Sequence, residues 1–272
     1  MDTALRWFLA VALLMTAGCG TSSTPRAGTP TPTTTASTEP EYTYGRLQLE
    51  SGEIRYWCAG EGEPAILLEA GTDAPGTTSF GRPFTLPLAA RTTVCTYDRP
   101  GTGSSSRAPE RRRGLEDLCV VQDQVIAALG LSPPYVLAGQ SGGGNLSIGC
   151  AARHPERTAA LVTIDSYHDD PAQMRAWQRE GEFDWRENPE HVDYVRGYTD
   201  VLDRLPMPIG TFPVLVFSAT RADPGGVENQ RFWLGLSPSS TQVVVEGGHN
   251  LHQQHPEQLA ERILGLLAEL RS

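Results

Sequence analysis

Ser141 lies in Gly139-Gln140-Ser141-Gly142-Gly143, a match to G-x-S-x-G. The stretch before it, "PYVLAG", reads as a buried strand, and "GGNLSIGCAARHP" after it reads as a helix. A serine on a sharp strand-to-helix turn projects its hydroxyl from the end of a sheet, and small neighbours keep that turn free of collisions. A serine hydroxyl is a weak nucleophile without a base. His249, in "VVVEGGHNLHQQHPE" directly after the last apolar run, is the expected base. The base needs a carboxylate to fix its tautomer and stabilise the imidazolium. Asp223, in "FSATRADPGG", is the preferred candidate, and Asp165, which ends "AALVTID", is the alternative. A tetrahedral intermediate also needs two amide donors. The N–H groups of Gly142 and Thr72 are expected to supply them. His249, His252 and His255 are spaced H-x-x-H-x-x-H, but no carboxylate or cysteine stands at a ligand spacing, so no metal site is expected.

These residues require a particular set of elements to position them. "RLQLE" and "IRYWCAG" flank Ser-Gly and read as a hairpin. "PAILLEAG", "TTVCTYD", "PYVLAG", "AALVTID", "FPVLVFSA" and "TQVVVEGG" are apolar runs of strand length. "GLEDLCVVQDQVIAALG" and "PEQLAERILGLLAELR" carry apolar residues at helical spacing. Strands apolar throughout, alternating with helices, specify an α/β fold with a mainly parallel central sheet covered on both faces. The ends of its strands can carry the serine, acid and histidine together. One insertion, at about 166–211, interrupts the alternation. It contains Tyr167, Trp177, Phe183, Trp185, Tyr194 and Tyr198, and it spaces Val192, Val195, Val201, Leu202 and Leu205 like an amphipathic helix. It is expected to form a short helical lid whose side chains mostly close onto the domain, with some aromatics lining an acyl pocket.

Composition narrows the chemistry further. The chain has 272 residues and a net charge of −10, which disfavours nucleic-acid binding. All 22 basic residues are arginine, so Schiff-base, Ser–Lys and lysine phosphate-loop mechanisms are excluded. No metal or organic cofactor is implied. Near the N-terminus, Arg6 precedes the apolar run "WFLAVALLMTAG", which is too short to span a bilayer and has the length of a signal-peptide core. Its ending, "TAGC", resembles the lipobox of bacterial lipoproteins, with Thr16 where leucine is usual. Residues 1–18 are accordingly expected to be a signal peptide and Cys19 to be lipidated, giving an exported protein anchored at the outer face of the cell membrane; plain secretion is the alternative. Residues 19–44, rich in Thr, Ser and Pro, read as a disordered tether, and 45–272 as the folded domain. Cys58, Cys95, Cys119 and Cys150 remain; in an oxidising compartment they allow three pairings, and free buried thiols are the alternative.

Taken together, "AILLEAG", "VCTYDRPGTGSS", "PYVLAGQSGGG", "RHPERTAALVTID" and "GGHNLHQQHPE" resemble the α/β-hydrolases, most closely the secreted serine hydrolases of actinobacteria. The resemblance covers about residues 46–270. "YDRPGTGSS" matches that family's D-x-x-G-x-G-x-S turn, which implies that Asp98 and Arg99 brace the loop beside the serine. This chain departs from many relatives in two places: Glu69-Ala70-Gly71 stands where His-Gly is common, and Gln140 precedes the serine where histidine is common. By analogy with that fold, Cys58 and Cys95 fall on neighbouring strands and Cys119 and Cys150 on two helices of one face. The resemblance thus implies the pairs 58–95 and 119–150. It also implies a carboxylesterase-like enzyme acting on a small-molecule ester or related acyl compound. A hydroxynitrile-lyase or peptidase activity of the same fold, or a tethered ligand-binding protein on this scaffold, are the alternatives. The sequence does not address oligomeric state.

Overall fold

The computed structural model describes residues 39–223 and 225–272. The expected signal peptide, Cys19 and the tether as far as residue 38 lie outside the described residues. Eight strands form one sheet: β1 (Tyr42–Leu49), β2 (Gly52–Ala59), β3 (Ile66–Glu69), β4 (Val94–Tyr97), β5 (Tyr135–Gln140), β6 (Thr158–Ile164), β7 (Val214–Ala219) and β8 (Ser240–Val245). Their order is β1-β2-β4-β3-β5-β6-β7-β8. The β1–β2 hairpin and its junction with β4 are antiparallel, and every other pair is parallel. The helices of eight residues or more are α1 (Arg82–Ala89), α2 (Leu115–Leu129), α3 (Gly142–Arg153), α4 (Pro171–Arg179) and α5 (Pro256–Leu270).

The central strands are buried on both faces, which is why they are apolar without alternation. Successive residues nevertheless serve different layers. Ile66, Leu68, Val136 and Ala138 pack with Phe84 and Leu88 of α1 and with Leu259 and Ile263 of α5. Leu67 and Leu137 pack on the opposite face with Val125 of α2 and Leu146 of α3. α2 ends where Gly130 adopts a left-handed conformation, with φ of 66°.

Three features differ from the sequence expectation. β1 begins at Tyr42, inside the segment assigned to the tether, because the Tyr42 ring packs against Trp57 (5.1 Å between centroids) and under the Arg82 guanidinium. Helix α1 has no counterpart in the sequence reading. Pro83 and Pro87 obscured it, although a proline in the first turn lacks an N–H that would be unpaired anyway. In the insertion, α4 starts on an Asp170 side chain that accepts from Ala172 N at 2.8 Å. The expected amphipathic helix is instead a π-helical turn, Val195–Thr199, running into a single turn at Asp200–Leu202. Val192, Val195 and Leu202 are buried as expected, but Val201 points outward.

Disulfides join Cys58 to Cys95 and Cys119 to Cys150. The first spans directly opposed positions of β2 and β4, and the second ties α2 to α3. They close loops of 37 and 31 residues, and closure on that scale removes about 3–4 kcal/mol each from the denatured ensemble. Replacing either pair by serines should lower the free energy of unfolding by about that amount, as read by guanidinium denaturation; reductant should cost the wild type more than either variant.

Candidate active site

Ser141 follows β5 and opens α3 with φ of 54° and ψ of −128°, a conformation outside the usual regions for an L-residue. Close backbone approach explains the glycines around it. A Cβ at Gly139 would lie 2.2 Å from the Gly143 carbonyl oxygen, and one at Gly143 would lie 2.3 Å from the carbonyl oxygens of Glu69 and Ala70. The turn is anchored to the neighbouring strand by Ser141 N–H, which donates to Ile164 O at 2.9 Å.

Register decides which acid meets the histidine. Gln140 on β5 pairs with Ile164 on β6, so Ser141 and Asp165 leave adjacent strands side by side. Asp165 has φ of 50° and is wholly buried. Its Oδ2 lies 2.7 Å from His249 Nδ1 and also accepts from the Tyr167 hydroxyl at 3.4 Å. Its Oδ1 accepts from Ala219 N at 3.0 Å and from Gln230 Nε2 at 2.7 Å. The preference for Asp223 is therefore corrected: the structure pairs His249 with Asp165. Asp223 sits four residues beyond β7 in an exposed loop, where its own carbonyl accepts from Gly226 N. Both acids satisfy the order serine, acid, histidine, so chain order could not separate them. His249 is 42% exposed at its side chain, and its carbonyl accepts from Gln140 Nε2 at 3.3 Å. With Nδ1 directed at a carboxylate, Nε2 is the nitrogen left to accept a proton. His252 turns away: its ring packs 5.2 Å from Phe80 and its Nε2 donates to Ser79 O.

The expected amide donors do come together. An ideal Cβ on Gly142 would sit 3.3 Å from Thr72 N, and both residues line the same cavity as Ser141. Among the described residues neither amide has a protein acceptor. Behind them lies Arg99, buried, with all five N–H donors used. Nε and Nη2 each donate to Glu190 at 2.7 Å, Nη1 donates to Ala70 O at 2.8 Å and Glu69 at 3.4 Å, and Nη2 donates to Gly71 O at 2.7 Å. Asp98 accepts from Thr77 N and Ser104 N, closing the turn that carries Arg99. Burial pushes the Glu69 carboxyl upward, opposed by the Arg99 charge and by donors from Gln122 and Tyr97.

The cavity over Ser141 has a volume of about 370 Å³. Its floor is Thr72, Ser141, Gly142 and Asn145, and its roof is the insertion, through Met174, Phe183, Tyr194 and Tyr198. Trp177 and Trp185 pack elsewhere in the insertion, against Phe183 and His191. The π-helical turn presents Tyr194 and Tyr198 together, and the Tyr198 hydroxyl donates to the Gly142 carbonyl. Asp73 and Asp169 face the cavity. Burial raises both, Asp73 with help from Glu190 and Asp169 to about 6. Asn145, Asp73 and Asp169 were not singled out from sequence. Asn145 lies four residues after Ser141, one turn along α3.

A family model for the alpha/beta hydrolase fold matches residues 79–191. A protein of Caulobacter segnis named "Putative carbamate hydrolase RutD" is 34% identical over 116 residues, 42% of this chain and 42% of that one. A mouse (Lyso)-N-acylphosphatidylethanolamine lipase is 33% identical over 96 residues, 33% of this chain and 28% of its own. The match thus spans about two fifths or less of the length of these relatives. A thermophilic esterase from Thermogutta terrifontis superposes with a TM-score of 0.68 at 19% identity, over 85% of this chain and 100% of that one, a likeness of fold. The chain has the α/β-hydrolase fold.

Two substitutions test the electrostatics. Arg99→Met leaves Glu190 buried without its partner and should cost about 3–5 kcal/mol in denaturant unfolding. Asp169 is different. Its folded-state pKa lies above that of the unfolded chain, so its stabilising contribution is complete below about pH 4 and is lost as pH rises through about 6. Asp169→Asn should therefore raise the melting temperature by about 2–4 °C at pH 8, and by less at pH 5.

Proposed function

We propose that the protein is a serine hydrolase that cleaves carboxylic esters or related acyl bonds through an acyl-enzyme on Ser141. The observation that carries this reading is the 2.7 Å pairing of His249 Nδ1 with buried Asp165, on the strand next to the Ser141 turn. Asp165 accepts from Nδ1–H and so leaves Nε2 to take the serine proton. Ser141 Oγ attacks the carbonyl carbon, and the amides of Thr72 and Gly142 stabilise the resulting oxyanion. His249 then passes its proton to the leaving group, and water, deprotonated by the same nitrogen, releases the acid and restores Ser141. A carbamate, the bond named for the Caulobacter relative, passes through the same type of tetrahedral intermediate and is within reach of this site.

The proposal includes the setting. Two disulfides suit an oxidising compartment. With the leader and Cys19, they support an exported protein held at the outer face of the membrane by an N-terminal lipid.

Purified protein should label with a fluorophosphonate and turn over p-nitrophenyl esters, and Ser141→Ala should abolish both. Asp165→Asn should lower kcat by about 10⁴, because the wrong imidazole tautomer faces Ser141. Asp223→Asn should stay within about threefold of wild type. Equal losses at the two aspartates would refute the assignment of the acid, and a folded wild type that neither labels nor turns over would favour a ligand-binding protein on this scaffold.

A further inference from the structure

Asn145 occupies an unusual position for a buried amide. It is 5% exposed and lines the cavity over Ser141. Its Nδ2 donates to Tyr167 O at 3.0 Å. A carbonyl can only accept, so this bond fixes which end of the amide is nitrogen and leaves Oδ1 as the other end. Oδ1 has no hydrogen-bond partner among the described residues. An orphan acceptor at this depth is costly unless a donor arrives.

The charges around it point to what that donor carries. Asp73 and Asp169 line the same cavity, with Glu187 and Asp184 further along its wall. Asp184 is paired with Arg186. No basic side chain lines the cavity among the described residues, and no cationic side chain pairs with Asp73 or Asp169. Arg99, the nearest buried cation, is already matched by Glu69 and Glu190. Asp169 accepts no hydrogen bond from the described residues, and burial alone accounts for its raised pKa. Tyr167, Tyr194 and Tyr198 also line the cavity, and aromatic rings attract cations. An anionic or purely apolar substrate would leave the Asp169 carboxylate and the Asn145 oxygen without partners, and Asp73 with only the Tyr194 hydroxyl, which donates to Oδ1 at 3.2 Å.

We infer that this cavity selects substrates bearing a protonated amine close to the scissile carbonyl, with the ammonium donating to Asn145 Oδ1 and balanced by Asp169 and Asp73. The substrate class is then an aminoacyl ester or amide. This rests on the proposed hydrolase reading for its chemistry, but not for its binding.

The test therefore begins with binding. Ser141→Ala protein is titrated by calorimetry with methyl esters carrying an amine on the α, β or γ carbon, each against its N-acetyl counterpart. At least one amine should bind about tenfold or more tighter than its acetylated form. Its trimethylammonium analogue, which keeps the charge but cannot donate, should bind more weakly than the amine. Asp169→Asn in the same background should bring the amine-to-acetyl ratio down about tenfold, towards unity. Equal binding of amines and acetylated forms across the panel would overturn the inference. Equal binding of amine and trimethylammonium would remove Asn145 from it. In catalysis, wild type should show the same preference in kcat/KM. Labelling and turnover of neutral esters with no amine preference would sink this inference and spare the hydrolase reading. Amine-selective binding without any turnover would do the reverse.

Discussion

One buried guanidinium organises the site. Arg99 reaches from the loop after β4 to the end of β3, to the carbonyls of Ala70 and Gly71 and to Glu190 in the insertion. Burying a charge is expensive unless every donor is matched, and here all five are. The consequence is geometric. With the carbonyls of Ala70 and Gly71 turned towards Arg99, the next amide, Thr72 N–H, is free to face Ser141. Glu190 completes the link, since its Oε1 also accepts from Asp73 N at 3.1 Å. The end of β3, the Ala70–Gly71 loop and the insertion thus all meet at Arg99. Lysine, with a point charge and three donors, could not hold this set.

The carboxylates near the site divide by environment. Asp165 is as deeply buried as any group in the protein, yet four donors converge on it. A carboxylate so supplied is fixed in place and can hold an imidazole in orientation. Asp169 is less buried and accepts no hydrogen bond from the described residues, and burial pushes its carboxyl up to about 6. The same functional group therefore serves as scaffold at one position and remains available to a ligand at the other.

The sheet was legible because its central strands are uninterrupted apolar runs bounded by turn residues, and because the G-x-S-x-G turn needs a strand before it and a helix after it. That architecture singled out Ser141, His249, Gly142 and Thr72 as candidates, but it could not choose the acid. Its choice depends on which strand lies beside β5, and on register to within a single residue, Gln140 against Ile164. Neither quantity is written in chain order. The lid was legible only as apolar content. Its π-helical turn depends on Thr199, whose amide and hydroxyl both donate to Tyr194 O, and on Asp193, whose carboxylate accepts from the amides of Val195 and Arg196. These local polar contacts override the amphipathic period and push Val201 outward. Asn145 was invisible for another reason: an asparagine in a helix is unremarkable until its partners, and its missing partner, are known.

Strain and its support complete the picture. Four residues at the site adopt positive φ without being glycine: Asp73, Ser141, Asp165 and Phe183, at 56°, 54°, 50° and 56°. Aspartate tolerates this region, but Ser141, with ψ of −128°, has left it altogether. Such conformations cost about 1–3 kcal/mol and persist only where the surroundings over-determine them. The disulfides stand directly behind that requirement. Cys150 bolts α3, which begins at the Ser141 turn, to α2. Cys95 fixes β4, which leads into Asp98 and Arg99, to β2. The covalent bracing thus falls on the two elements that feed the serine turn and the Arg99 loop. The arrangement braces the chemistry-bearing side chains, and Glu190 and Tyr198 join the insertion to them.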